Sequence, residues 1–234
     1  MSRGQIVVAP DGTEVSLVDI GTTELLDTAD VRVWDVSLVP AQLHPWHLHH
    51  NPYVVLSIAG GHGRMDWLDG REPRHVVEYT GGAVFRPVSP VHRLTNLSEG
   101  DYRNRLVELK ALGELRPDGP FDVGAGDRSS PDDAPRDPGP DGRRVVLETS
   151  FVTIWSVTVP AGESVSLDLA EVPHVLAQLD AGLEGPELAE SVREVPPGTH
   201  VLVGSDTDQV WFVVGLTYLA DPPHATTGRR TTDD

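Results

Sequence analysis

The sequence predicts an all-β protein built from two similar β-barrels in tandem. Short runs of β-branched and apolar residues alternate with turn residues along the 234-residue chain, which contains 23 glycines and 20 prolines. The pattern of the first half recurs after a segment that has almost no apolar residues. We find no convincing amphipathic helix before residue 112.

The strands of the first half follow from these turn signals. Residues 5–20 indicate a strand, an Asp-Gly turn and a second strand. The next strand begins at Val31 and ends before Pro40, and a polar, histidine-rich strand follows it. The remaining predicted strands of this half are 53–58, a hairpin of 65–68 with 75–79, 83–86, 91–96 and 102–110.

An internal repeat supports the tandem arrangement. The segment LLDTADVRVWDVSLVPA (25–41) aligns with VLETSFVTIWSVTVPA (146–161), so that Trp34 matches Trp155 and Pro40 matches Pro160. A consistent spacing of about 120 residues indicates a duplicated domain. We therefore predict an N-terminal domain over 1–112 and a C-terminal domain over 145–221.

Two segments have the composition of chain that does not fold by itself. Residues 113–144 are rich in Pro, Gly, Asp and Ser and offer little apolar surface to offset the conformational entropy lost on folding. We predict a mobile linker there, with a lid over the functional site as the alternative. Residues 222–234 are predicted to form a disordered tail.

Three histidines of the first half predict a metal site. His47 and His49 are two residues apart, and on a β-strand this spacing directs both imidazoles to the same face. With His92 from another strand they form a set of nitrogen ligands suited to a first-row transition metal. The second copy does not need histidine for packing, because it has other residues at the aligned positions: Leu167, Leu169 and Gln209.

The amino-acid composition indicates which cellular compartment and which classes of partner to expect. The absence of cysteine excludes disulfides, thiolate metal sites and cysteine nucleophiles, and it is compatible with a reducing compartment. A formal net charge of −18 argues against nucleic acid and anionic membranes as partners. The N-terminus lacks the apolar core of a signal peptide, and no apolar run reaches the length of a membrane span. We expect a cytoplasmic protein that is a monomer or a homodimer.

The spacing of two motifs resembles that of the cupin superfamily. The family motifs have the forms G-x5-H-x-H-x3-E-x6-G and G-x5-P-x-G-x2-H-x3-N. This chain has His47-x-His49-x3-Tyr53-x6-Gly60, followed by Gly81-x5-Pro87-x-Ser89-x2-His92-x3-Asn96. The resemblance is strong over about 20–110 and weak over 145–220. It implies a bicupin, with a jelly-roll barrel in each half and a metal in the mouth of the first.

The resemblance carries over three metal ligands, His47, His49 and His92, and leaves the fourth position open. Tyr53 stands where the family has glutamate, and Ser89 stands where it has glycine. Three neutral imidazoles leave the full charge of a divalent ion and additional open coordination positions, which favours anionic, chelating substrates. In this respect the site is similar to the cysteine and diketone dioxygenases of the superfamily, which use ferrous iron. We expect one divalent ion per chain, with Fe(II) favoured and Mn, Ni, Cu or Zn as alternatives.

Tyr53 shares the strand alternation of the glutamate it replaces, so it is predicted to point into the barrel. There it is a candidate catalytic residue, as a metal ligand, a hydrogen-bond donor or a base; its alternative role is to fill the barrel. The direction of His44 is left open by Pro45, and Arg86 could meet an anionic substrate but is expected at the surface or a strand edge. Asn96 is expected to bond a turn. His50 follows His49 directly, so it is expected to face the other side, toward solvent or a partner, and the hairpin of 65–79 is expected to place its histidines on the surface. Three further polar residues face inward or outward according to strand registers that the sequence does not define: Asp66, Arg105 and Glu108.

Three classes of function remain. The first is a non-haem iron oxygenase that acts on a small anionic molecule. The second is a metal-dependent lyase or isomerase with Tyr53 as the base. The third is a cupin that binds a small ligand without changing it. Sugar-phosphate epimerisation is disfavoured because the sequence shows no clear cluster of Lys and Arg to hold phosphates.

Overall fold

Antiparallel β-strands form nearly all the regular structure of the computed structural model, which describes residues 3–131, 142–169, 171–180 and 182–220. The first half contains eleven strands: β1 (Ile6–Val8), β2 (Glu14–Ser16), β3 (Thr23–Asp27), β4 (Val31–Leu38), β5 (Leu43–His47), β6 (Tyr53–Ala59), β7 (His62–Trp67), β8 (Arg74–Val77), β9 (Ala83–Arg86), β10 (His92–Asn96) and β11 (Tyr102–Leu109). Every strand predicted in this half is present, and a 3₁₀ turn at Lys110–Leu112 follows the last of them.

The second half begins after β12 (Asp127–Arg128), which lies between the two barrels. Its elements are β13 (Arg143–Glu148), β14 (Thr153–Val159), β15 (Ser164–Leu169), β16 (His174–Gln178), α1 (Gly185–Glu190), β17 (Val192–Val195), β18 (Gly198–Val203) and β19 (Gln209–Gly215). A 3₁₀ turn at Thr217–Leu219 follows β19. No helix of the described residues is long and apolar enough to span a membrane.

Each half folds as two facing sheets. In the first half a six-stranded sheet has the order β12-β9-β6-β11-β4-β3, and a four-stranded sheet has the order β5-β10-β7-β8. In the second half the corresponding sheets are β13-β14-β19-β16-β17 and β15-β18, and α1 stands between β16 and β17 where the first half has the β7–β8 hairpin. The strand orders match, so the predicted pair of jelly-roll barrels is confirmed.

The strand registers correct one alignment made from the sequence. His92 lies opposite His47 in the β10–β5 ladder, and His200 lies opposite Leu167 in the equivalent β18–β15 ladder. His200 is therefore the counterpart of His92, and the assignment of Gln209 to that position is wrong. Gln209 opens β19, which is the equivalent of β11. Loops of unequal length displaced the alignment, and only the ladders show which strands correspond.

The second half nevertheless lacks the three-histidine arrangement of the first. Leu167 and Leu169, at the positions of His47 and His49, are fully buried in an apolar cluster that fills the C-terminal barrel. His174 occupies the position of Tyr53, because β16 is placed in its sheet as β6 is. Two leucines thus replace two of the three nitrogen ligands.

The largest apolar core lies between the two barrels. One face of the six-stranded sheet contributes Val54 and Val107, and one face of the five-stranded sheet contributes Ile154, Phe212 and Val214. The opposite faces of the same strands line the barrel interiors, since successive side chains of a strand alternate between its two faces. Packing of the two large sheets therefore fixes one wall of each barrel.

The segment after the first barrel differs from the predicted mobile linker. Within residues 113–131, Phe121 and Val123 pack against the core between the barrels. β12 pairs with β9 and extends the six-stranded sheet. The prediction is therefore wrong for 113–131, where a few apolar anchors and one strand pairing suffice to order a polar segment. Residues 132–141 and the predicted tail at 222–234 lie outside the described residues.

Candidate metal centre

Two paired strands and one loop bring the three predicted histidines together. His47 is the last residue of β5 and His92 the first of β10, and they face each other across the ladder. His49 lies two residues beyond the end of β5 and continues its alternation. All three rings are buried, and one ligand atom from each lies within 4.8 Å of the others. Among the described residues this is the one group of three His, Cys, Asp or Glu side chains that meets this condition.

The ring orientations fit a metal ion. Nδ1 of His47 lies 2.8 Å from the carbonyl oxygen of Pro45, and Nδ1 of His92 lies 2.8 Å from that of Pro90. A carbonyl oxygen only accepts hydrogen bonds, so Nδ1 carries the proton in both rings and Nε2 keeps its lone pair. Such bonds fix the tautomer and the direction of a metal-binding imidazole. The buried Nδ1 of His49 has no hydrogen-bond partner among the described residues.

Burial keeps these three imidazoles neutral. Loss of solvent is the main cause that lowers the pKa of His47 and of His49 well below the ordinary value, and proximity to His92 lowers both further. Burial also lowers the pKa of His92 to about 4. Neutral imidazole is the form that binds metal, so at neutral pH the group is ready to bind a cation without first losing protons.

Tyr53 lies beside the histidines, as its alternation predicts. Its ring stacks on that of His49, with 4.1 Å between the ring centroids. The phenol oxygen lies 3.0 Å from Oγ of Ser89. Burial raises the pKa of Tyr53, so in the metal-free pocket the phenol is neutral and able to donate a hydrogen bond. Tyr53 and Ser89, two of the positions at which the chain departs from the family motifs, therefore contact each other.

The group opens into a cavity between the two sheets of the N-terminal barrel. The cavity has a volume of about 90 Å³ and opens to solvent at its mouth, so it has room for a small ligand. Apolar side chains such as Val36, Val55 and Leu106 line part of its wall. Three arginines, one glutamate and His44 add polar groups to the lining.

His44 and Arg86 both line this cavity. The sequence left the direction of His44 open, and the expected surface or strand-edge position of Arg86 is wrong. His44 is buried, its Nε2 lies 3.1 Å from the carbonyl oxygen of Asp19, and its ring centroid lies 4.7 Å from that of His47. Arg86 reaches the cavity because β9 pairs with β6 and places it directly opposite Tyr53. Proline at 45 obscured the direction of His44, and the unknown pairing of β9 concealed that of Arg86.

Glu78 was missed by the sequence interpretation, which treated the β7–β8 hairpin as surface. Its carboxylate accepts a hydrogen bond of 2.9 Å from Ser57, and Tyr102 lines the same cavity. Burial raises the pKa of Glu78, and it raises that of Tyr102 well above the usual value. The signal was present in part, since Arg74, Val76 and Glu78 follow a two-residue period.

The other polar candidates hold the barrel together and do not line the cavity. Glu108 accepts hydrogen bonds from Trp34 and Asn51 at 2.9 and 3.0 Å. Arg105 forms a buried ion pair with Asp35. Three further candidates have surface or turn roles: Asp66 pairs with Arg64 and Arg93, Asn96 donates to the carbonyls of Leu38 and Gly100, and His50 faces away from the three histidines.

Asn51 anchors the loop that carries His49. Its side chain is fully buried, donates to Glu108 and accepts a 2.7 Å hydrogen bond from the backbone N–H of Glu114. A Cβ at Gly113 would lie 2.3 Å from the Asn51 side-chain oxygen, so only glycine permits this approach. Gly113 and Glu114, at the start of the segment between the barrels, therefore hold the loop that carries His49 in place.

Solved structures share this architecture at low sequence identity. AerE from Microcystis aeruginosa is similar over 90% of this chain and 98% of its own, with a TM-score of 0.57 and 9% identity. The vicilin from Solanum melongena is similar over 80% of this chain and 74% of its own (TM-score 0.53, 12% identity). Procruciferin, an 11S globulin from Brassica napus, is similar over 92% of this chain and 84% of its own (TM-score 0.53, 10% identity).

No protein-family model matches the sequence, and no curated protein does. At identities this low the structural similarity shows the fold alone, and the chemistry has to be inferred from the residues of the site. The repeated strand order and the buried histidine group of the first barrel lead to one conclusion. The protein has the cupin fold in its two-barrel form, with a three-histidine group able to bind a metal in the N-terminal barrel.

Proposed function

We propose that the protein is a non-haem iron oxygenase acting on a small anionic molecule. The observation that carries the proposal is the set of three neutral imidazoles, His47, His49 and His92, at an open cavity with no carboxylate in the group. Such a set leaves a ferrous ion its full charge and several open positions. When bound, that ion would supply a Lewis acid and a one-electron redox centre.

The residues of the chain would prepare this reaction in three ways. The Pro45 and Pro90 carbonyls hold two imidazoles in the tautomer that presents Nε2. Apolar walls limit the entry of water beside the histidines. The ring of Tyr53 stacks on His49, and its phenol O–H can donate a hydrogen bond to an anionic oxygen of a substrate.

Oxygen consumption by the iron-loaded protein tests the proposal. The panel consists of enolisable diketones, thiols and catechols, and each is assayed with and without air. We expect oxygen uptake with at least one of them and none with H47L or H49L, which copy the leucines of the second barrel. H62Q, which replaces an exposed histidine of β7, is the matched control and should retain uptake.

Two results would overturn the oxygenase. Conversion of a substrate without air, lost in Tyr53→Phe while metal content is unchanged, would identify a lyase or isomerase with Tyr53 as the base. Saturable binding of a panel member with no conversion under either condition would identify a binding protein.

A further inference from the structure

Three arginines line the metal cavity in addition to the histidines. Arg74 is on β8, Arg86 on β9 and Arg128 on β12. We propose that they form a second subsite for an acidic group, so that the substrate is a short dianion with one acidic end at the arginines and the other at the histidines. This inference rests on the proposed function in one respect: it assumes that the cavity binds a small acidic molecule.

The strand order separates Arg74 from the histidines within the cavity. In the four-stranded sheet β8 is two strands from β10, and Arg74 lies in register with Leu94, two residues from His92. The backbones of Arg74 and His92 are therefore about 12 Å apart. In the facing sheet Arg86 lies opposite Tyr53, and Arg128 lies opposite Val84 on the next strand outward. The arginines thus gather where the edges β8 and β12 border the cavity.

These three guanidinium groups form no ion pair within the described residues. Within residues 3–131 and the described part of the second barrel, none of the three makes a side-chain hydrogen bond or an ion pair. Seven other arginines do pair with carboxylates: Arg3, Arg32, Arg64, Arg71, Arg93, Arg103 and Arg105. Acidic side chains outnumber basic ones 36 to 18, so three unpaired arginines around one cavity are not explained by a shortage of partners.

The three arginines are close enough to repel one another electrostatically. Burial is the main cause that lowers the pKa of Arg86, and repulsion from Arg74 and from Arg128 lowers it further, whereas Tyr53 and Glu78 raise it. Glu78, the carboxyl in the same cavity, accepts a hydrogen bond from Ser57 and forms no ion pair with any of the three arginines. A bound anion would relieve the repulsion between the arginines.

The inter-barrel segment supplies Arg128 through a close approach to β9. Gly126 has a φ of +79°, and a Cβ there would lie 2.3 Å from the carbonyl oxygen of Phe85. The glycine allows the segment to reach β9 and form the β12 pairing that directs Arg128 to the cavity. A segment outside the barrel motifs therefore contributes a residue to the pocket lining. The sequence shows no clear cluster of Lys and Arg, because these three arginines are far apart along the chain.

Calorimetry with redox-silent zinc in the protein tests the subsite without any turnover. Succinate and butyrate have the same number of carbons and differ by one carboxylate, so their affinity ratio reports the second acidic group. We expect succinate to bind at least about tenfold more tightly than butyrate, because charge-assisted hydrogen bonds to guanidinium are strong. Phosphoglycolate is included to show whether the subsite prefers phosphate to carboxylate.

The variants R74M, R86M and R128M should each reduce the preference for the dianion while butyrate affinity and zinc content remain unchanged. R64M is the matched control, since Arg64 pairs with Asp66 and does not line the cavity. Equal affinities for butyrate, succinate and phosphoglycolate would overturn the subsite, and so would an equal loss in R64M. A dianion preference that persists when no oxygen uptake is found would retain the subsite and reject the oxygenase.

Discussion

Acid should destabilise the metal-free protein through the buried histidines, and His92 allows the size of the effect to be calculated. The pKa of His92 is about 4 in the folded protein, against 6.5 for the ordinary side chain. The unfolded chain therefore binds a proton more readily, so the associated stability is fully present above pH 6.5 and is lost as pH falls toward 4. At pH 5 the loss from this residue is about 2 kcal/mol, and at pH 7 it is about 0.2 kcal/mol.

The measurement is the free energy of unfolding in urea after removal of metal with a chelator, at pH 7, 6 and 5. Replacing His92 by glutamine removes its titration, so the difference between wild type and H92Q should change by about 2 kcal/mol across this range. H62Q, on the exposed side of β7, should follow the wild-type curve. Parallel curves for wild type and H92Q would refute the reasoning, because they would show that His92 titrates alike in both states.

Three further predictions follow from the same structure. The wild-type protein should contain about one divalent ion per chain by elemental analysis, and H47L should contain almost none; equal contents would remove His47 from the ligand set. Asp35→Asn should lower the free energy of unfolding by about 3–5 kcal/mol, because it leaves Arg105 buried without its partner, and a loss below about 1 kcal/mol in urea unfolding would contradict this. Phe212→Ala should cost about 3–5 kcal/mol by opening a cavity between the barrels, whereas an unchanged thermal midpoint would show that this core contributes little.

Local patterns were sufficient to predict the strands and the principal site residues. Alternation along a strand depends on neighbouring residues alone, so His47 and His49 could be assigned to one face without knowledge of their partners. The resemblance to the cupin motif, and not alternation, placed Tyr53 in the same barrel. The repeat around Trp34 and Trp155 likewise indicated two copies of one fold.

Only the tertiary structure decided which residues share the cavity. The counterpart of His92 depends on strand pairing across loops of unequal length, and His200 could be recognised only from the β18–β15 ladder. Arg128 enters the site because a polar segment pairs with β9, and composition does not reveal such a non-local contact. The sequence by itself was sufficient to predict the two barrels and the three histidines of the site. Which acidic and basic side chains surround those histidines depends on strand register and packing, because these bring together residues that are distant along the chain.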